Sequence, residues 1–265
     1  MKDEKTTSPI LSATVILGRN GKDGLEVFMV KRNRQIEFAS GALVFPGGKV
    51  DENDQAQGLR AYCDGQEGLT DRELCLCIAA IREAYEESGI FLARFRGKQE
   101  MVSGKDLQRL SVYRNQLAEN KISMETFLKT EKLVLACNKL ICFAHWITPL
   151  QMPKRFDTSF FLAETPNGHM GEHDGLESVD SVWITPEKAI EMADSGKLTM
   201  IFPTRMNMLK LGKDKTLEDA VLRARSEKIV TIMPRVEDRN GELMLCIPED
   251  AGYPVTSEFL KKVMG

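Results

Sequence analysis

The stretch that decides the fold opens with Phe45-Pro46-Gly47-Gly48 and closes with Arg82-Glu83-Ala84-Tyr85-Glu86-Glu87-Ser88-Gly89-Ile90. Its closing half reads as a helix from Asp71 to Ser88, a run without Gly or Pro. Thr70 is a good N-cap, and Glu73, three residues later, completes a capping box. Asp71 and Glu73 suit the positive end of the helix dipole. Gly89 supplies a left-handed stop. At about 100° per residue, Leu74, Cys77, Ile78, Ile81 and Tyr85 share one apolar face. Glu83, Glu86 and Glu87 cluster on the opposite side, within an arc of roughly 100°. Exposed like charges at this spacing repel by some tenths of a kcal/mol per pair. Arg82 offsets part of that. A divalent cation offsets far more, since hard cations such as Mg²⁺ take a few carboxylates together with water and substrate phosphate.

Taken alone, Glu-x-x-Glu-Glu is usually a solvated helix face. The wider string is more specific, because Arg-Glu-x-x-Glu-Glu-x-Gly plus an aliphatic residue fixes the carboxylates, their Arg partner and the helix stop together. With the Gly-Gly upstream it resembles the Nudix box, Gly-x5-Glu-x7-Arg-Glu-U-x-Glu-Glu-x-Gly-U, where U is a bulky aliphatic residue. Gly48, Arg82, Glu83, Glu86, Glu87, Gly89 and Ile90 match. Three positions depart from the pattern. Ala84 is smaller than the expected aliphatic residue, and Asp54 stands where the pattern has Glu. The box is also split: the pattern puts its Arg at position 62, whereas the Arg-Glu pair begins at 82. The intervening residues, 53–70, are rich in Gly, Gln and Asp and read as a loop-like insertion. The acid corresponding to the first Glu of the pattern stays open among Glu52, Asp54 and Glu73.

Pro46 fixes φ, and Gly47 and Gly48 permit positive φ. The chain is therefore expected to turn sharply under the helix and to bring backbone near a bound phosphate or metal. Upstream, Ser12–Leu17 and Leu25–Lys31 read as strands of a hairpin around Asn20-Gly21. Arg32 and Arg34, in a basic cluster at the strand end, serve either solubility or the holding of substrate phosphate, which Arg does through its planar fork.

Downstream, Asp106–Glu119 reads as an amphipathic helix bearing Leu107, Leu110, Tyr113, Arg114 and Leu117, followed by a short helix from Ser123 to near Glu131. These make a helical insertion, residues 104–131, that serves packing or a homodimer contact. Lys139–Ile147, Lys154–Ala163 and Val179–Ile184 read as strands. Glu164–Gly175 is a flexible loop with exposed His169 and His173, and Glu172 and Glu177 are each candidates for a general base near the cleft. Helices follow from Pro186, from Met206 and from Leu217. Strands at Ile229–Pro234 and Glu242–Ile247 flank the Asp238–Gly241 turn. No linker or repeat interrupts the chain. We expect one α/β (α+β) domain over residues 10–265, with a C-terminal extension from about 200.

Composition sets bounds. At 265 residues, 42% hydrophobic and 28% charged, the chain matches an ordinary soluble globular protein. The net charge of −3 and pI near 5.8 give no global basic surface, so no nucleic-acid partner is expected. Six cysteines without a Cys-x-x-Cys pair read as scattered buried thiols in a reducing compartment. No stretch approaches the roughly 20 apolar residues of a membrane span, and the N-terminus lacks a signal-peptide core. A cytoplasmic location in a prokaryote-like cell, with no membrane partner, is the expectation.

The resemblance runs through most of residues 10–260. Gly41-x3-Phe45-Pro46-Gly47-Gly48, the split box, Arg155-Phe156-Asp157-Thr158-x-Phe160-Phe161, Trp183-x-Thr185-Pro186, Pro203-Thr204 and Gly252-Tyr253-Pro254 are similar to the coenzyme A diphosphatase branch with an interrupted Nudix box. In that branch's signature an Arg is expected where Glu37 stands. The resemblance implies a Nudix-type α/β/α sandwich with a mixed sheet and an Mg²⁺- or Mn²⁺-dependent pyrophosphatase site. It implies Glu83, Glu86 and Glu87 as metal ligands and catalytic groups, oriented by Arg82. Arg32, Arg34, Gly47, Gly48 and Arg155 are candidates for substrate binding. The implied substrate is a small nucleoside-diphosphate-linked molecule, first coenzyme A or acyl-coenzyme A, giving 3′,5′-ADP and (acyl-)4′-phosphopantetheine. The alternatives are ADP-ribose or a nucleotide sugar, or a non-catalytic nucleotide-binding module.

Overall fold

The structure is a computed structural model that describes residues 8–33, 39–55 and 57–261. Arg34 and Glu37 lie outside the described residues.

A long hairpin forms the spine. β1 (Ile10–Gly21) pairs antiparallel with β2 (Gly24–Arg32), as the sequence predicts, with Asn20 opposite Leu25. β3 (Leu43–Val44) joins β2. β4 (Gly47–Lys49) returns against β1, with Thr14 opposite Gly47 and Ala13 opposite Gly48. The chain bends at Pro46 and the Gly-Gly pair then runs as a short strand, and neither glycine takes a positive φ. Glycine is needed at 47 for close approach: a Cβ there would lie 2.6 Å from the Ala13 carbonyl oxygen and the Thr14 Cα.

The 53–70 insertion is more ordered than a loop. It holds 3-10 turns at Glu52–Gln55 and Gln57–Tyr62, and it sends Asp54, Leu59 and Cys63 into the interior. α1 (Asp71–Ser88) then has the predicted boundaries. Thr70 and Glu73 form the reciprocal capping box, and Gly89 closes the helix at φ 69°. β5 (Ala93–Phe95), α2 (Gly104–Leu110), α3 (Val112–Ala118), α4 (Met124–Glu131) and β6 (Leu133–Leu135) follow, with β5 and β6 paired. The single helix expected over Asp106–Glu119 is broken at Ser111, whose hydroxyl donates to the Gln108 carbonyl and competes with the helical ladder. The inserted helices pack on α1. Tyr85, Phe91 and Phe127 form a ring cluster, Tyr113 lies against Phe127, and the Tyr85 hydroxyl donates to the Leu110 carbonyl at 2.6 Å.

β7 (Ile141–Ile147) and β8 (Phe156–Glu164) form an antiparallel pair, and β8 lies parallel to β1. β9 (Ser178–Ile184) pairs with β2. Then come α5 (Pro186–Asp194), α6 (Phe202–Leu211), α7 (Leu217–Ser226) and β10 (Thr231–Ile232), which lies parallel to β7. The Asp238–Gly241 turn joins β11 (Arg235–Arg239) to β12 (Glu242–Cys246), and β13 (Ser257–Phe259) completes a separate three-stranded sheet. The upstream strand of this hairpin is therefore Arg235–Arg239, while the apolar Thr231–Ile232 goes to the main sheet.

The described residues form a mixed main sheet in the order β10-β7-β8-β1-β2-β3, with β4 on β1 and β9 on β2. Alternation along the spine sorts two cores. Ala13, Val15, Leu17, Phe28 and Val30 face α1 and the inserted helices. Ile16, Val27 and Met29 face α6 and α7 through Met206, Leu211, Leu217 and Ala220. No described helix is long and apolar enough to cross a membrane. All six cysteines are free; Cys63, Cys77, Cys137 and Cys246 are buried, Cys75 is half-buried and Cys142 is exposed.

Candidate active site

The last turns of α1 pass beside β4, and this proximity builds the site. The sequence places the three carboxylates opposite the apolar face, but the surrounding chain buries Glu86 and Glu87 as well. Glu83 and Glu87 point toward the Gly-Gly segment. Glu87 Oε2 accepts the Gly47 N–H at 3.0 Å, and a Cβ on Gly48 would fall inside the Glu83 carboxylate. Gly48 is therefore glycine to leave room for a carboxylate, and Gly47 offers that cluster a backbone donor.

Arg82 organises the group. Its Nη1 donates to Glu83 Oε1 and Glu86 Oε2, each at 3.0 Å. Its Nε and Nη2 grip Asp54, and Nη2 also donates to the Lys49 carbonyl. The structure thus selects among the three acids left open. Asp54 is buried against Arg82, Glu73 is committed to the helix cap, and Glu52 is exposed.

Burial pushes the Glu86 carboxyl up to about 8, with Arg82 opposing and Glu83 adding to the rise. Burial also raises Glu83, against the pull of Arg82. Glu87 is raised well above the ordinary range by burial and by the Glu83 charge, while the Gly47 N–H and Arg32 oppose. Burial works against the Arg82 charge, but Asp54, Glu83 and Glu86 outweigh it and hold the guanidinium above its usual pKa.

Arg32 reaches this cluster. Its charge acts on Glu87, and its buried Nε has no hydrogen-bond partner among the described residues. Arg155 is buried at the β7–β8 hairpin, where its Nε donates to the Thr148 carbonyl. Of the two candidate bases, Glu177 is the one whose charge bears on both Glu83 and Glu87. Glu172 is tied by its backbone, its N–H donating to the Ser88 carbonyl at 2.8 Å. The segment carrying both is less free than a flexible loop. His169, expected to be exposed, is buried: Nδ1 accepts the Phe91 N–H, and Nε2 lies 2.7 Å from the Val102 carbonyl. The sequence reads Arg114 as part of a packing face. Its guanidinium reaches the carbonyls of Glu86 and Glu172. An arginine amid Leu107, Leu110, Tyr113 and Leu117 was the available signal.

Among the described residues no three Asp, Glu, His or Cys side chains already converge tightly enough to hold a metal ion. The donor set nonetheless fits an oxygen-seeking divalent cation. Among the described residues, Glu86 Oε1 is buried without a partner, and Glu83, Glu86 and Glu87 outnumber the cationic groups acting on them, Arg82 and Arg32. Mg²⁺ is commonly held by one or two carboxylates, with water and substrate phosphate filling the other positions, so a closed protein cage is not required.

A family model, the NUDT19 Nudix domain, matches residues 61–211, more than half of the chain. The chain belongs to the Nudix hydrolases. As a Nudix enzyme it is a pyrophosphohydrolase. It is similar to the acyl-coenzyme A diphosphatase NUDT19 of Xenopus laevis, 24% identical over 278 residues, covering 89% of this chain and 73% of that one. It is also similar to the putative nudix hydrolase 7 of Caenorhabditis elegans, 25% identical over 248 residues, covering 94% and 76%. The fold matches the crystal structure of a Nudix hydrolase from Alicyclobacillus acidocaldarius, with a TM-score of 0.71, 24% identity, and coverage of 82% of this chain and 96% of that one.

Proposed function

We propose that this Nudix hydrolase cleaves the diphosphate of coenzyme A or acyl-coenzyme A with Mg²⁺ or Mn²⁺, giving 3′,5′-ADP and (acyl-)4′-phosphopantetheine. The observation that carries the reaction class is the turn of α1 that sets Glu83 and Glu87 against Gly48 and Gly47 and ties Glu83 and Glu86 to one guanidinium. Similarity to an acyl-coenzyme A diphosphatase supports the substrate class.

When bound, the cation neutralises diphosphate oxygens and lowers the pKa of water. Glu83, Glu86 and Glu87 would supply its carboxylate oxygens. Arg82, braced by Asp54, fixes the rotamers of Glu83 and Glu86, and the Gly47 N–H that of Glu87, as partners of metal ligands commonly do. The Nε of Arg32, buried without a partner among the described residues, donates to a phosphate oxygen. Water adds to one phosphorus, the bridging P–O bond breaks, and Glu177 takes the water's proton as general base.

The test is incubation of the purified protein with Mg²⁺ and coenzyme A, acyl-coenzyme A, ADP-ribose or NADH, with products identified by mass. Adenosine 3′,5′-bisphosphate with a phosphopantetheine is expected. AMP from ADP-ribose, with coenzyme A untouched, overturns the substrate assignment.

A further inference from the structure

The C-terminal carbonyls of α1 are met by groups from outside the helix. Gly89 N–H donates to the Tyr85 carbonyl, and Glu172 N–H donates to the Ser88 carbonyl at 2.8 Å. The Glu86 carbonyl receives Arg114 Nε at 2.8 Å. Nη2 of the same guanidinium donates to the Glu172 carbonyl at 2.7 Å. Arg114 stands over Gly89, where a Cβ would come within 3.4 Å of Nη1, and its charge faces Asp174, Glu172 and Glu87. One planar cation therefore bridges two chain segments. The first is the turn that carries Glu83, Glu86 and Glu87. The second is the start of the segment that leads, five residues on, to Glu177.

The rest of that segment is braced so that a fixed start gives a fixed end. Asp174 Oδ1 accepts the N–H groups of Leu176 and Ser178, and its Oδ2 accepts that of Glu177. The Glu177 carbonyl accepts the Asn33 N–H beside Arg32. At the other end, His169 spans Phe91 and Val102.

We propose that Arg114, carried by the inserted helix α3, is a positioning residue for phosphoanhydride cleavage: it clips the carboxylate turn of α1 to the acidic segment and so sets where Glu177 stands relative to Glu83 and Glu87. This rests on the reading of the carboxylate turn as the catalytic centre. It gives the 104–131 insertion a role in the reaction, through its one guanidinium on the catalytic turn. A lysine does not copy the clip: its three donors sit on one nitrogen, whereas the guanidinium meets the two carbonyls from separate nitrogens, Nε and Nη2, held in one rigid plane.

The experiment compares Arg114→Gln, Arg114→Lys and Arg114→Gly with the parent and with Glu83→Gln, in the full chain. The Gln variant is expected to lower kcat about 10-fold or more while KM changes less than about threefold, as for a group acting on the reacting geometry rather than on binding. Without any metal, amide exchange at Glu172 is expected to speed up at least about 10-fold. Free guanidinium at millimolar concentration is expected to restore part of the kcat of the Gly variant and none of that of the Lys variant. Turnover lost in Glu83→Gln but unchanged in Arg114→Gln overturns the proposal and leaves the site reading standing. A loss in the Gly variant that follows melting temperature alone, with no guanidinium rescue, also overturns it. Unchanged turnover in Glu83→Gln removes the site reading and the proposal with it.

Discussion

Two N–H groups of Arg82 meet the two carboxylate oxygens of Asp54, Nε with Oδ1 and Nη2 with Oδ2, each at 2.9 Å. Asp54 is buried, so this bidentate pair fixes the plane of the guanidinium that serves Glu83 and Glu86. Asp54→Asn keeps the size and removes one acceptor. Mn²⁺ affinity, read by titration calorimetry, is expected to fall about 10-fold or more, in the range found when partners of metal ligands are lost. Unchanged affinity would mean that Arg82 holds its place without this brace.

Glu83→Gln and Glu87→Gln preserve shape and remove charge. Each is expected to lower Mg²⁺-dependent turnover at least about a hundredfold, with far-UV circular dichroism unchanged. Full activity in either variant rules that carboxylate out as a ligand.

The two glycines of β4 predict different failures. In Gly48→Ala the new methyl meets the end of a side chain, so Glu83 is displaced; turnover should fall about 10-fold with a small change in melting temperature. In Gly47→Ala the methyl meets the backbone of β1, which cannot step aside, and the protein should lose on the order of 2 kcal/mol of stability. Denaturant titration paired with a turnover assay separates the two.

The metal-free protein should lose stability as pH rises. Glu86 goes from an ordinary value of 4.5 to about 8 on folding, so between those values the folded chain holds a proton that the unfolded chain has released. Stability then falls through that window, and the rises at Glu83 and Glu87 act in the same direction. Melting temperature should drop by about 5 °C or more from pH 5 to pH 8, and Glu86→Gln should flatten the slope. Mn²⁺ should recover more at pH 8 than at pH 5, since it competes with protons for the same oxygens. A melting temperature that climbs over this range in the metal-free parent would show the carboxylates ionised throughout.

What the sequence revealed was local. The capping box of Thr70 and Glu73, the left-handed Gly89 and the apolar periodicity fixed α1 without any knowledge of its neighbours. Alternation and a turn fixed the β1–β2 hairpin in the same way. What it concealed depends on contacts between distant segments. The choice of Asp54 over Glu52 or Glu73 follows from how the split box folds back on Arg82. The requirement for glycine at 47 and 48 comes from β1 and from Glu83, not from the local dihedral freedom that suggested a turn. His169 was placed at the surface because glycines surround it in sequence; it is buried because Phe91 and Val102 each offer it a backbone partner.

Asp54 comes from the first turn of the segment that divides the box, before the chain wanders off to deliver Leu59 and Cys63 to the interior. The grip on Arg82 is thus complete before most of the extra residues begin. A detour placed there can grow or shrink over generations without disturbing the acids beyond it. Kinship among such enzymes is better judged by which side chains meet than by how many residues part them.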